Sequence, residues 1–154
     1  MNKAIAEHAL DNNFEILNDV SGFKDPGMIE LAVEHSSKII LVHSHPESSH
    51  IHEKMEFNDV VQEVKAQLER KINDLISKGI KDCQISIDPG LGFGKTMRDS
   101  EILFKNLEVF CFGFPLVVGY SKKKFIENLN MTNNQLYDHC IDSGAALVRL
   151  HIAS

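Results

Sequence analysis

The stretch Ile87-Asp88-Pro89-Gly90-Leu91-Gly92-Phe93-Gly94-Lys95-Thr96 carries an apolar run to a carboxylate and opens at once into a glycine-rich turn. Glycines let backbone approach a flat or charged ligand, and an Asp at a strand end accepts hydrogen bonds from the ring nitrogens of a heterocycle. Two phosphate-loop patterns do not fit. Walker A needs four residues before GK[ST], but only three separate Gly90 from Gly94-Lys95-Thr96, and Pro89 holds the required glycine position. The dinucleotide fingerprint GxGxxG fails because the glycines run 90, 92, 94.

Four further polar clusters also follow β-type apolar runs: Asn18-Asp19, His43-Ser44-His45, Gly119-Tyr120-Ser121-Lys122-Lys123 and Arg149-Leu150-His151. Asn18-Asp19 reads as a turn former, a helix cap or a ligand group. Lys122, Lys123 and Lys124 form a solvated basic run or open a loop on an active face. Arg149 and His151 lie two apart on a strand and point to one side, where a guanidinium fork and an imidazole can clamp a phosphate or pyrophosphate. The alternative for Arg149 is to cap a neighbouring helix end. Reactive groups at the carboxyl ends of successive strands are how a (β/α) barrel builds its active site.

The elements that must position these groups alternate along the chain. Lys3–Leu10 suits the last turns of a helix, and Phe14–Leu17 a short strand. After the Asp25-Pro26-Gly27 turn, apolar residues from Met28 to Val33 fall at helical spacing, and Lys38–Val42 is a strand buried on both faces. A long amphipathic helix runs from Phe57 or Asn58 to Lys78 and closes at Gly79. Gln84–Ile87, Pro115–Val118 and Ala145–Leu150 read as strands, with helices over Ser100–Phe110 and Asn133–Ser143. Strand and helix in alternation predict right-handed βαβ units and a parallel sheet. The one clear interruption is a polar loop of unusual length from Ser44 to Met55.

At 154 residues with 43% hydrophobic content the chain suits a single domain, 1–154, with one core. A net charge of −6 argues against nucleic-acid or anionic-membrane binding through a basic face, so any anion site is local. Cys83, Cys111 and Cys140 are scattered without metal or redox spacing, and no apolar run reaches the roughly 20 residues of a membrane span. These features suit a reducing cytoplasm.

Taken together, NDVSG, a strand ending in HSH, DPGLGFGK, a G-x-S-[RK]-K-x-F element and a terminal R-x-H resemble dihydropteroate synthase, a pterin-binding (β/α)8 barrel, over nearly the whole chain. The expected fold is therefore α/β, a partial (β/α)8 TIM barrel of about five sequential parallel β/α units. The resemblance implies a transferase of folate biosynthesis that condenses 6-hydroxymethyl-7,8-dihydropterin pyrophosphate with p-aminobenzoate. It assigns Asn18, Asp88, Gly92, Phe93 and Lys123 to the pterin, and Arg149 and His151 to the pyrophosphate. Ser121, Lys122 and Lys124 fall on the aminobenzoate side. Asp88, Lys123, Arg149 and His151 would be the catalytic set.

Against the family pattern, the chain matches strands four to eight and lacks the first-strand N-x-T-P-D-S-F motif, which supplies the magnesium ligand, and the third-strand pterin Asp. Magnesium is thus implied by the family without its strand-one ligand. Lys122 stands for an arginine, Lys124 for a serine, Ile152 for an aspartate and His45 for a methionine. Five strands leave open edges, which predicts self-association, a homo-oligomer or a complementing N-terminal half. Two other readings differ in class: a noncatalytic pterin-binding module, and a metal hydrolase using His43, His45, His50 and His52.

Overall fold

The computed structural model describes residues 3–44 and 55–151. Helix α1 (Lys3–Asp11) ends in a left-handed Asn13 (φ 64°) and gives way to strand β1 (Ile16–Asp19). Asp25 caps α2 (Pro26–Glu34) by accepting the Gly27 N–H at 2.9 Å, with proline at the helix start where its missing donor is harmless. Strand β2 (Lys38–Val42) follows. The long α3 (Val60–Ser77) starts on Asp59, whose carboxylate takes the Val61 and Gln62 N–H groups, and stops at Gly79 with φ 101°. Strand β3 (Ile85–Asp88) leads to α4 (Met97–Lys105), which the Thr96–Asp99 capping box opens. Strand β4 (Leu116–Val118), helix α5 (Asn133–Asp142) with its Thr132–Gln135 box, and β5 (Ala145–Val148) complete the order. Three 3-10 turns, Asp82–Gln84, Leu107–Phe110 and Lys124–Leu129, join them.

The strands form one sheet in the sequential order β1-β2-β3-β4-β5, and every pairing is parallel. Five parallel strands alternating with helices, as the alternation predicts, bring their polar ends to one rim and make the arc of a (β/α) barrel that the family resemblance implies. Its two faces differ. Leu17, Ile39, Leu41, Ile85, Ile87, Leu116 and Val118 join the main core with Leu31, Val64, Leu68, Leu75, Leu103 and Phe104 from the helices. On the inner face Ile40, Val42 and Val117 form a small separate cluster with Phe93.

Several boundaries move. The first strand is Ile16–Asp19 rather than Phe14–Leu17, because the Phe14 N–H turns back to the Ala9 carbonyl and the ladder starts where Lys38 N–H meets Glu15 O at 2.9 Å. Asn18 and Asp19 are consequently strand residues. Helix α4 begins three residues before Ser100, since Thr96 and Asp99 supply its cap, and it breaks at Asn106 into a 3-10 turn. Strand β5 stops at Val148, although the Arg149 N–H still reaches Val118 O at 2.8 Å. Among the described residues no helix is long and apolar enough to cross a membrane.

Strands β1 and β5 are the edges, with Ile16 50% and Leu147 49% exposed. Unpaired parallel edges bearing apolar side chains recruit partners. The 154-residue polypeptide expressed alone is expected to sediment as concentration-dependent oligomers, and Ile16→Lys with Leu147→Lys to shift it toward the monomer. A monodisperse, cooperatively melting wild-type monomer would overturn this expectation.

Candidate functional site

Register places the chemistry. Asn18 pairs with Ile40, and Val42 pairs with Asp88, so both polar residues share the inner face with the Ile40–Val42–Val117 cluster. Asp88 is 1% exposed, and its Oδ1 accepts the Gly90 N–H at 2.7 Å. Its Oδ2 is buried with no hydrogen-bond partner among the described residues, and so is Asn18 Oδ1. Each such orphan acceptor costs on the order of 1–3 kcal/mol, so two on one wall leave an unmet demand for N–H or O–H donors there. Burial raises the Asp88 carboxyl above its ordinary value of 3.8, opposed by Lys123, the Gly90 N–H, Arg149 and Lys95.

Two of those cations converge from neighbouring strand ends. Lys123 donates to the Leu91 carbonyl and holds its Nζ 4.8 Å from the centre of the Phe93 ring. Burial lowers its pKa, Asp88 pulls it up, and Arg149 pushes it down. Arg149 folds back across β4, where a Cβ on Gly119 would lie 3.0 Å from its Nη2. Gly119 therefore matters for its missing side chain: it leaves the guanidinium room to turn toward Asp88.

The remaining predicted residues divide between two cavities. One of about 410 Å³ lies between the glycine-rich loop and the loop after β4, lined by Gly92, Phe93, Lys122, Lys123 and Lys124. The other, about 280 Å³, is lined by Ser121, Lys122, Tyr137, Leu150 and His151. The His151 N–H donates to Ser121 Oγ at 3.2 Å, which ties the end of the chain's last strand to the loop after β4. His151 itself is exposed, whereas Arg149 is half-buried. Lys122 adopts φ 61°, a left-handed backbone that disfavours residues bearing a Cβ, and it touches both cavities.

Two sequence readings change. Asp19 points to the helix side and serves the turn, accepting from Ser21 N–H, Ser21 Oγ and Phe23 N–H, so of the Asn-Asp pair only Asn18 faces inward. His43 is 4% exposed and faces α3, with Nε2 at 3.1 Å from Gln67 Oε1 and Nδ1 at 2.8 Å from Lys95 Nζ. Both ring nitrogens are thus engaged and neither is free for a metal. His45, His50, His52 and Ile152 lie outside the described residues.

Lys95 is the residue that sequence reasoning missed. Its place in the sequence suggests a phosphate-loop lysine, yet its Nζ is buried among the carbonyls of Gly90 (3.0 Å), Phe93 (3.0 Å) and His43 (3.4 Å) and the His43 ring. Gly90 explains the tightness: with φ 69°, a Cβ there would sit 1.9 Å from the His43 carbonyl oxygen. The only available signal was a lysine closing a run of glycines.

The family model described as pterin binding enzyme matches residues 1–151. A dihydropteroate synthase of Bacillus subtilis is 32% identical over 125 residues, covering 80% of this chain and 41% of that protein. One of Streptococcus pyogenes is 32% identical over 158 residues, covering 95% of this chain and 57% of that protein. The solved dihydropteroate synthase of Thermus thermophilus superimposes with a TM-score of 0.82 at 31% identity, over 97% of this chain and 62% of that one. That of Xanthomonas albilineans, solved with 4-aminobenzoic acid, gives 0.85 at 26% identity, over 97% and 56%. The chain thus spans about half the length of the curated relatives it matches.

Two substitutions separate a ligand wall from ordinary structure. Asn18→Leu removes an orphaned acceptor beside Ile40 and is expected to leave the melting temperature unchanged or higher, read by calorimetry. Gly90→Ala combines a left-handed φ with a backbone clash and is expected to destabilise by about 2–4 kcal/mol in urea unfolding.

Proposed function

The chain belongs to the pterin binding enzymes, and from this we propose that its inner face holds the pterin and pyrophosphate contacts of a dihydropteroate synthase. The observation that carries the reading is the pair of buried, unpartnered oxygens, Asn18 Oδ1 and Asp88 Oδ2, on one wall beside Lys123 and Arg149. A pterin ring presents N–H donors in a plane, which would complete both acceptors. Lys123, at the Phe93 ring and near Asp88, would meet the pterin carbonyl from the opposite side. A Thermus thermophilus relative is solved with 6HMPPP and another crystal of it with 4-aminobenzoate, which supports the same substrate classes.

In this reading, 6-hydroxymethyl-7,8-dihydropterin pyrophosphate lies with its leaving group toward Arg149 and His151. The methylene carbon–oxygen bond breaks, the electron pair leaves with pyrophosphate, and the two donors stabilise that charge. The pterin is left as a delocalised cation, which the Asp88 carboxylate steadies. p-Aminobenzoate enters from the cavity of Lys122 and Lys124, its nitrogen attacks the methylene carbon, and the new ammonium gives its proton to the released pyrophosphate. Among the described residues no three His, Cys, Asp or Glu side chains gather to hold a metal ion, and the groups assigned to the pyrophosphate in this reading are the donors Arg149 and His151.

The open edges of β1 and β5 support pairing with further strands, from a complementing N-terminal half or from another copy of the chain. Product formation, alone or mixed with such a half, supports the transferase, while pterin binding without turnover in both cases supports a noncatalytic binding module.

Titration calorimetry with the dihydropterin pyrophosphate tests the site. Asp88→Asn and Asn18→Ala are each expected to weaken binding by about tenfold or more, the loss of one well-made hydrogen bond to a buried acceptor. Because the bound form needs the Asp88 carboxylate and its pKa is raised by burial, affinity should fall as pH drops through a value above 3.8. The free chain responds with the opposite sign: a raised acid pKa favours the fold at low pH, and that contribution is lost as pH rises through it. Unchanged affinity in Asp88→Asn would reject the assignment.

A further inference from the structure

We propose that Lys95 is a positioning residue of this site, whose ammonium pins the glycine-rich loop to the end of β2 and so aims Asp88 and Phe93 at the ligand. The inference rests on the pterin reading for the identity of that ligand. Lys95 Nζ bridges loop and strand: Gly90 O and Phe93 O belong to the loop, His43 O and Nδ1 to the residue just after β2. With four acceptors around three N–H bonds, the ammonium has no donor left for substrate. The atoms it fixes are those that the site uses. Gly90 supplies the N–H that orients Asp88 Oδ1, and Phe93 supplies the ring facing Lys123.

A relay stands behind it. Because Lys95 donates to His43 Nδ1, the imidazole carries its proton on Nε2 and donates it to Gln67 Oε1 on α3. The loop is therefore tied to a helix of the main core as well as to the sheet. Burial lowers His43 well below 6.5, with Lys95 adding to the effect, so the imidazole stays neutral and keeps this polarity at physiological pH. The groups acting on Lys95 are Asp88 and Asp99, which favour its charge, and Lys123, which opposes it; burial, with Lys123 acting in the same direction, outweighs the two carboxylates and brings Lys95 down to about 7. A neutral amine has one donor fewer, so the pin loosens as pH rises.

Calorimetry with the dihydropterin pyrophosphate and amide hydrogen exchange of Gly90, Gly92 and Phe93 test this in the 154-residue chain. Lys95→Met is expected to weaken binding about tenfold and to speed loop exchange while α3 amides keep their protection. Lys95→Arg, always charged, should retain binding and abolish the fall in wild-type affinity between pH 7 and 9. Gln67→Leu, at the far end of the relay, should weaken binding several-fold in a chain that folds normally. Wild-type loop exchange and affinity in both Lys95→Met and Gln67→Leu would overturn the proposal, as would exchange rising equally in the loop and α3. If wild type binds no pterin, the function reading fails, whereas loop exchange in the variants still decides the role of Lys95.

Discussion

Parallel pairing from β1 to β5 commits every strand residue to one of two faces, and nearly everything else in the molecule follows from that alternation. With side chains switching sides at each step, Ile16, Asn18, Ile40, Val42, Ser86 and Asp88 go inward while Leu17, Asp19, Ile39, Leu41, Ile85 and Ile87 go to the helices. A slip of one residue in β1 would send Asn18 into the apolar core and bring Asp19, already satisfied by its own turn, to the site. Burial of Leu17, Ile39, Leu41, Ile85 and Ile87 among helix side chains opposes any such slip. Packing of the large core thus fixes which side chains form the small polar wall.

Beyond the strand ends, electrostatics governs the arrangement. Asp88 is buried with Lys123, Arg149 and Lys95 all acting on it, which keeps a carboxylate tenable in a place where burial alone would neutralise it. The three cations have different tasks. Lys95 is spent on carbonyls of the loop, Lys123 is shared between the Leu91 carbonyl and the Phe93 ring, and Arg149 lies over Gly119. Only the last two present charge toward the inner face. That division separates a structural ammonium from the groups able to meet an anionic ligand, on a chain whose overall charge is −6.

Similarity to dihydropteroate synthases and the arc of five β/α units describe the same thing from two sides. The chain superimposes on about three-fifths of the Thermus thermophilus enzyme, and its sheet holds five strands in sequential order. Polar strand ends concentrate on one rim, where the loops of a (β/α) barrel carry its chemistry. The inner face, with Ile40, Val42, Val117 and Phe93, is sparse beside the helix-side core.

Local signals wrote much of this into the sequence. Asp25, Asp59, Thr96 and Thr132 start helices because their side chains satisfy free N–H groups within two or three residues, and apolar runs set the strands, so element order and the α/β class were legible from neighbours alone. The motifs NDVSG, DPGLGFGK and the terminal R-x-H, with the strand-end clusters between them, carried the family resemblance for the same reason, since each is a local string. What the sequence left open were choices made by residues far apart in it. Whether Asn18 or Asp19 faces the ligand depended on where β1 meets β2, and the strand had to begin at Ile16 rather than Phe14 for Asn18 to turn inward. Whether Lys95 meets a phosphate or its own backbone depended on Gly90 approaching His43, 47 positions earlier. Spacing along a chain fixes periodicity and caps; only packing brings a lysine, a histidine and a glutamine from three separate elements within hydrogen-bond reach, because that contact exists solely when the sheet and α3 close on each other.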